Sequence, residues 1–404
     1  MERNADLRPT MQRLWMSVFL CVLWILCGDA AFGQEPAAPR AVSSAELKAA
    51  IGKLGDLDYA ARTGAARTVR RTPAAEAVPA LTQAVSNHPD GYVRYRALVL
   101  LTGFNDPRGK DSMREAMASA NDRLRAVAYG FFEYNPDPAM VPSFLDAFEK
   151  EQGEFVRPAL MRALAAVGAT DARAQQALVR DVARGQDYFR SAVIEALGDY
   201  KARYAFDAIT AVAKLDGPLQ VDAAIALGKI GDKRALETLA ALQRTAPKAA
   251  QPSIAAAICL LGVNCEAHES YLVETLKFSN TNAGFQELLR SAALGLGALG
   301  LAAHPEAVTS LFDIGIPSHD PTRAPIALSL GAVALRNTSL MLSILERHPN
   351  RGRAIDLLAE GFDMLEEDLE KERFFATVRR GFWQSKDGST TRQLMQTLIG
   401  KLDF

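Results

Sequence analysis

The sequence predicts an all-α fold: a right-handed solenoid of about ten helix pairs, preceded by a signal peptide. Three observations carry this expectation. The segment 219–231 (LQVDAAIALGKIG) overlays 288–300 (LLRSAALGLGALG) in register. With Leu227 as the reference core position, equivalents recur at Val69, Leu101, Phe132, Leu164, Leu197, Leu261, Leu296 and Leu330, and more weakly at Glu360, in steps of 30 to 35 residues. A period in that range marks stacked repeats, none of which buries its apolar face alone. The composition agrees: 49% hydrophobic but only 7% aromatic, so the core is built from Ala, Leu and Val, which suit close helix packing. At 404 residues, an extended array or several domains is expected rather than one compact unit.

Residues 1–33 read as a secretory signal peptide. Arg8 and Arg13 precede an apolar run over 14–27, and Ala31-Phe32-Gly33 stands just before Gln34. The run is 14 residues long, shorter than the roughly 17 to 25 that cross a bilayer, so no permanent membrane span is expected. Met11, immediately ahead of the run, is an alternative start, and acylation of Cys27 is disfavoured by the bulky Leu26 before it. Cleavage near Gly33-Gln34 places the mature chain in the periplasm or outside the cell. It removes Arg3, Arg8 and Arg13 with Glu2, Asp6 and Asp29, so the net charge stays at -1. Without a basic excess, nucleic acid is not an expected partner.

A Pro- and Ala-rich linker (34–45) leads into the array (46–385), and a C-terminal capping helix (386–404) is expected to close it. Seven residues before the reference position stands Arg62, Arg94, Arg125, Arg157, Arg190, Arg323 or Arg353, followed by Ala and Leu at helical spacing: the second helix of a pair. The residue after the reference is Gly in the last six units: Gly198, Gly228, Gly262, Gly297, Gly331 and Gly361. Such glycines would weaken an isolated helix by about 1 kcal/mol each, so they point to tight crossings between stacked helices. First helices open near Pro73, Pro107, Pro138 or Pro305, where proline suits a first turn, and bury pairs such as Leu236 and Leu239.

Val156-Arg157, Ala163-Leu164, Val167-Gly168 and the run 226–232 (ALGKIGD) resemble HEAT repeats of the short bacterial kind also found in phycobilin lyases, over roughly residues 46–385. The resemblance implies an armadillo-type α-solenoid. It further implies that the recurrent arginines, Arg94, Arg125, Arg157, Arg190 and Arg323 among them, bond an Asp in a neighbouring turn and are structural rather than a phosphate-binding stripe. HEAT arrays serve as scaffolds, transport receptors, enzyme regulators and occasionally enzymes, so the fold does not choose a function.

Several chemical motifs dissolve in this register. The run 295–300 satisfies G-x-G-x-x-G but lies in a helix with no strand before it. His268-Glu269 is a single His-Glu pair, whereas the HEAT-type deoxyhypusine hydroxylases it resembles hold iron with several. His319-Asp320 reads as a turn before a helix. The acidic stretch Asp363, Glu366, Glu367, Asp368, Glu370 and Glu372 reads as a solvated helix face. No Cys or His pair shows zinc spacing, so no catalytic residue, cofactor or metal is expected.

With Cys21 and Cys27 removed, the mature chain keeps Cys259 and Cys265. An oxidising compartment allows them to join. Six residues of straight helix span roughly 9 Å, so a disulfide needs the helix to break near Gly262, and two free packing thiols are the other reading. Five residues after the Arg position the early units carry Arg67, Val99, Gly130, Arg162 and Glu195, a mostly polar or small set. The later units carry Ile225, Cys259, Leu294, Leu328 and Leu358, with Phe362 one turn on from the last. These six form a candidate apolar groove for a protein or peptide partner, unless the register shifts after Gly262 and they are core. The favoured function is a non-catalytic envelope scaffold or adaptor that binds along the concave surface. An envelope assembly factor is a close alternative, and an enzyme resembling a bilin lyase or DNA glycosylase is the alternative if the chain is not exported.

Overall fold

The computed structural model describes residues 42–404 except Ala283. The expected signal peptide, its cleavage site and most of the linker lie outside the described residues. From Val42 onward the chain is helical, and no strand occurs among the described residues.

The first half of the array pairs α1 (Ser44–Gly52) with α2 (Tyr59–Arg71), α3 (Ala74–Asn87) with α4 (Gly91–Phe104), α5 (Gly109–Ala116) with α6 (Asp122–Tyr134), α7 (Val141–Lys150) with α8 (Val156–Gly168), and α9 (Ala172–Val182) with α10 (Asp187–Asp199). The second half pairs α11 (Phe206–Ala213) with α12 (Gln220–Ile230), α13 (Ala235–Thr245) with α14 (Gln251–Leu260), α15 (Cys265–Thr281) with α16 (Gln286–Leu301), α17 (Pro305–Gly315) with α18 (Arg323–Arg336), and α19 (Thr338–Arg347) with α20 (Arg351–Met364). Two helices follow, α21 (Asp368–Gln384) and α22 (Thr390–Leu402). Each second helix packs against the second helices before and after it, so the even-numbered helices up to α20 form the inner layer of a solenoid. No single helix among the described residues is long and apolar enough to cross a membrane.

Small residues set how sharply the inner layer curls. A Cβ on Gly228 would lie 2.7 Å from the Cα of Ala257, and one on Gly361 would collide with the Ala327 carbonyl. Neighbouring inner backbones therefore touch where side chains would hold them apart, and the array bends tightly enough for its ends to meet.

The arginine ladder is structural, as the resemblance implied, and bonds an Asp at Arg157 and Arg190, but most of its bonds run to backbone carbonyls. Arg62 donates to the carbonyls of Asp56 and Leu57, Arg125 to Ser119 and Ala120, Arg157 to Phe148 and Glu151, Arg190 to Val182, and Arg323 to Gly315, Ile316 and Ser318. These carbonyls lie at or just past the end of the preceding outer helix, where the last turn leaves acceptors unsatisfied and the helix dipole is negative. A bond to an Asp in the next repeat forms at Arg157, 2.9 Å from Asp181; Arg125 and Arg323 reach Glu151 and Glu360 instead. Where the ladder lacks Arg, Gln220 does the same work toward Ala213 and Leu215, and in the tenth pair Arg351 rather than Arg353 caps Leu345 and Glu346. At Arg94 the Nε is buried without a hydrogen-bond partner.

Candidate binding surface

Helix α21 lies across the inner face of the first repeats. It contacts α4 and α6 on one side and α18 and α22 on the other, so it joins the two ends of the array. Arg70 of α2 meets Glu372 through Nε and Nη2, the closest approach being 2.7 Å, with both side chains no more than 7% exposed. Asp368 accepts from the Tyr95 hydroxyl at 2.5 Å and from Arg96 at 2.6 Å. Arg379 donates to the Arg70 carbonyl, Arg373 sits 3.1 Å from the Tyr134 ring centroid, and Phe375 stacks on Phe404 at 4.0 Å. Beyond α22, Arg67 pairs with Asp403 at 2.6 Å.

This corrects the expectation for the acidic stretch. Asp363 and Glu366 face solvent, but Asp368, Glu370 and Glu372 are turned into the inner face. The polar positions of the early units are what they meet or neighbour: Arg67 holds the C-terminus, Gly130 leaves room for Leu369, and Arg162 anchors a network. Only a pairing between acids of one end and arginines of the other would have revealed it. Those partners are 302 residues apart in the case of Arg70 and Glu372.

The network lies beside the start of α21. Glu133, buried, accepts from Arg162 at 2.9 Å and from the Tyr200 hydroxyl at 2.9 Å, with Arg336 3.9 Å away. Arg162 continues to Asp199, which also receives Lys229. Burial pushes the Asp199 carboxyl up, but the Lys229 and Arg162 charges outweigh it and hold it below the ordinary range. Glu370 shows the opposite balance: burial, with the negative charge of Glu367 added, pushes it up to about 7. A cavity of about 440 Å³ opens here, lined among others by Arg123, Glu133, Phe155, Arg162, Arg336 and Glu366.

The candidate groove divides. Leu294 and Leu328 are 49% and 41% exposed at equivalent positions of α16 and α18. Each lies two residues from a fully buried reference leucine, Leu296 or Leu330, and hence roughly opposite it on the helix. Ile225, Cys259, Leu358 and Phe362 are buried and leave the groove. Crowding of the inner helices closes over Ile225; Cys259 turns toward α15; Phe362 packs on Phe374 of α21 at 5.0 Å, and Leu358 lies one turn before it. The reason is the tight curl and the covering helix, neither of which a uniform repeat register contains.

Cys259 and Cys265 are joined as a disulfide, their Cα atoms 4.1 Å apart. The chain turns between them through left-handed Gly262 (φ 73°) and Asn264 (φ 46°), where glycine and asparagine are the residues best suited to such backbone. The run 295–300 lies within α16 against Ala256, Ser329 and Val308 and has no phosphate-binding turn. His319 provides the carbonyl that receives the amides of Thr322 and Arg323 at the start of α18. His268 and Glu269 are half-buried on α15, where desolvation lowers the imidazole and raises the carboxyl.

Comparison with known proteins agrees with the repeat. A family model described as HEAT repeats matches residues 47–133, and one described as PBS lyase HEAT-like repeat matches 219–245. No curated protein matches the sequence. Similar solved structures include the Escherichia coli protein YibA (15% identity, 65% of this chain and 99% of that one, TM-score 0.40). Importin beta is similar over 86% of this chain and 49% of its own (14% identity, TM-score 0.38). A chain of a Kap95:Nup1 complex is similar over 89% and 56% (12% identity, TM-score 0.44). The chain thus spans about half the length of those last two, and at TM-scores below 0.5 none of the three fixes a partner or an activity.

Proposed function

For this chain of HEAT repeats we propose a non-catalytic binding scaffold of the cell envelope, which takes a protein or peptide partner on the inner face of α16 and α18. The observation that carries the reading is the exposure of Leu294 and Leu328, large apolar side chains at the same position of adjacent inner helices, where the equivalent Ile225, Cys259 and Leu358 are buried. An apolar pair of this kind is a candidate anchor for a partner's side chain. The cavity beside Arg162 and Arg336 adds polar groups along the same inner layer. The envelope assignment rests on the order of basic, apolar and small residues over 1–33.

Crosslinking in the intact envelope followed by mass spectrometry, run on the wild type beside a Leu294→Asp, Leu328→Asp double variant, tests the reading. The wild type is expected to carry a partner that the double variant loses while its melting transition stays in place. Retention of the same crosslinks by the variant, or cleaved chain found in the cytoplasm, would overturn it.

A further inference from the structure

Three helix ends meet outside the surface described above. Cys259 lies one residue before the end of α14, Cys265 is the first residue of α15, and His304 is the residue before Pro305 at the start of α17. The two left-handed residues between the cysteines fold the chain back on itself there. His304 is fixed by its amide, which donates to the Leu299 carbonyl at 3.0 Å, and its Nδ1 stands 3.9 Å from the Cys265 sulfur. The two sulfurs and a ring nitrogen of His304 all lie within 4.8 Å of one another. Cys259 is 1% exposed, whereas Cys265 and His304 keep partial access to solvent.

A disulfide alone has no need of the imidazole. We propose that reduction of the Cys259–Cys265 bond turns this cluster into a three-ligand site for a thiophilic d10 cation, with Zn(II) as the probe and a fourth position open to water. Two thiolates and one imidazole are the donor set such ions select, and two negative ligands neutralise the divalent charge at a half-buried site. With zinc–sulfur and zinc–nitrogen bonds of about 2.3 and 2.05 Å, a tetrahedral site sets sulfur and nitrogen about 3.6 Å apart, close to the separation already present. Cys265 begins a helix of 17 residues, whose N-terminal dipole favours its thiolate.

The chemistry balances. An external dithiol or phosphine supplies two electrons, the S–S bond breaks, and each sulfur takes one proton. Zn(II) then displaces both thiol protons to solvent, while His304 binds through the Nδ1 lone pair with its proton on Nε2. Disulfide and metal therefore exclude each other, and the site loads only in the reduced chain.

The test titrates the mature protein with Zn(II) against a chromophoric chelator, after reduction by a non-chelating phosphine without oxygen, beside the unreduced protein. One zinc per chain is expected in the reduced form and none in the unreduced form. Cys265→Ser should abolish binding, and His304→Ala should weaken it at least tenfold. No stoichiometric uptake by the reduced wild type, or equal affinity in His304→Ala, overturns the proposal. Co(II) in the reduced wild type gives an independent reading that needs no variant: sulfur-to-cobalt charge-transfer bands with tetrahedral ligand-field bands are expected, and their absence counts against the site.

Discussion

The inner faces of α2 to α8 and of α16 and α18 are built from the same repeat, yet the chain uses them in opposite ways. The first carries Arg67, Arg70, Arg96 and Arg162, and the chain's own C-terminal segment, its linking residues and neighbouring inner acids pair with all four. The second carries Leu294 and Leu328, which stay 49% and 41% exposed. In the early repeats the charged inner positions are thus met from within the same molecule, whereas on the proposed reading the exposed apolar pair of the later ones is left for a partner outside it. The difference also has an energetic side. Charges buried in pairs add little net stability but are costly to break singly, whereas exposed leucines are cheap to replace.

The largest effect expected on breaking this contrast is at Arg70→Ala, which leaves the Glu372 carboxylate buried without its partner. Stability should fall by about 3 to 5 kcal/mol in denaturant unfolding, and the loss should be smaller in the Arg70→Ala, Glu372→Ala pair than the two singles add up to. Next in size is the curl itself. Gly228→Ala sets a methyl against the Ala257 backbone, so despite its better helix propensity it should destabilise by about 1 to 3 kcal/mol.

The third test is a pH dependence of comparable or smaller size. In the closed array Glu370 titrates at about 7 against an ordinary value of 4.5, so the unfolded chain gives up this proton first. Its effect is to lower stability as pH rises from about 4.5 to about 7, with no further loss above. Asp199 and Asp368, held below 3.8, contribute stability that disappears only at more acidic pH. Glu370→Gln should therefore match the wild type near pH 4.5 and exceed it by about 1 to 3 kcal/mol at pH 8, read from urea midpoints. The smallest stability effect belongs to the open region: Leu294→Asp and Leu328→Asp should each stay within about 0.5 kcal/mol of the wild type.

The helix pairs were legible in the sequence because each repeat restates its own core. Ala and Leu at helical spacing recur in the inner helices, with arginine seven residues before the reference position in most of them and glycine after it in the last six units. Closure was not legible. Asp368 and Glu372 stand at i, i+4 on an amphipathic helix, and that spacing looks the same whether the acids face water or arginines brought round from the other end of the array. Their helix did carry a hint in Phe374, Phe375 and Phe382, more aromatic surface than a solvated helix requires. The candidate groove failed at Phe362 for the same reason, since the helix that packs on it is the one read as solvated. At Cys259 the bend was readable from Gly262, but the approach of His304 depends on the stacking of three helix ends.

Small-angle X-ray scattering of the mature protein, with Arg70→Glu and the inverted pair Arg70→Glu, Glu372→Arg beside it, most directly tests whether the C-terminal segment closes the array. The wild type should have the radius of gyration of the closed structure, Arg70→Glu should expand, and the inverted pair should recover much of the compactness. Identical scattering from the wild type and folded Arg70→Glu would contradict closure by α21.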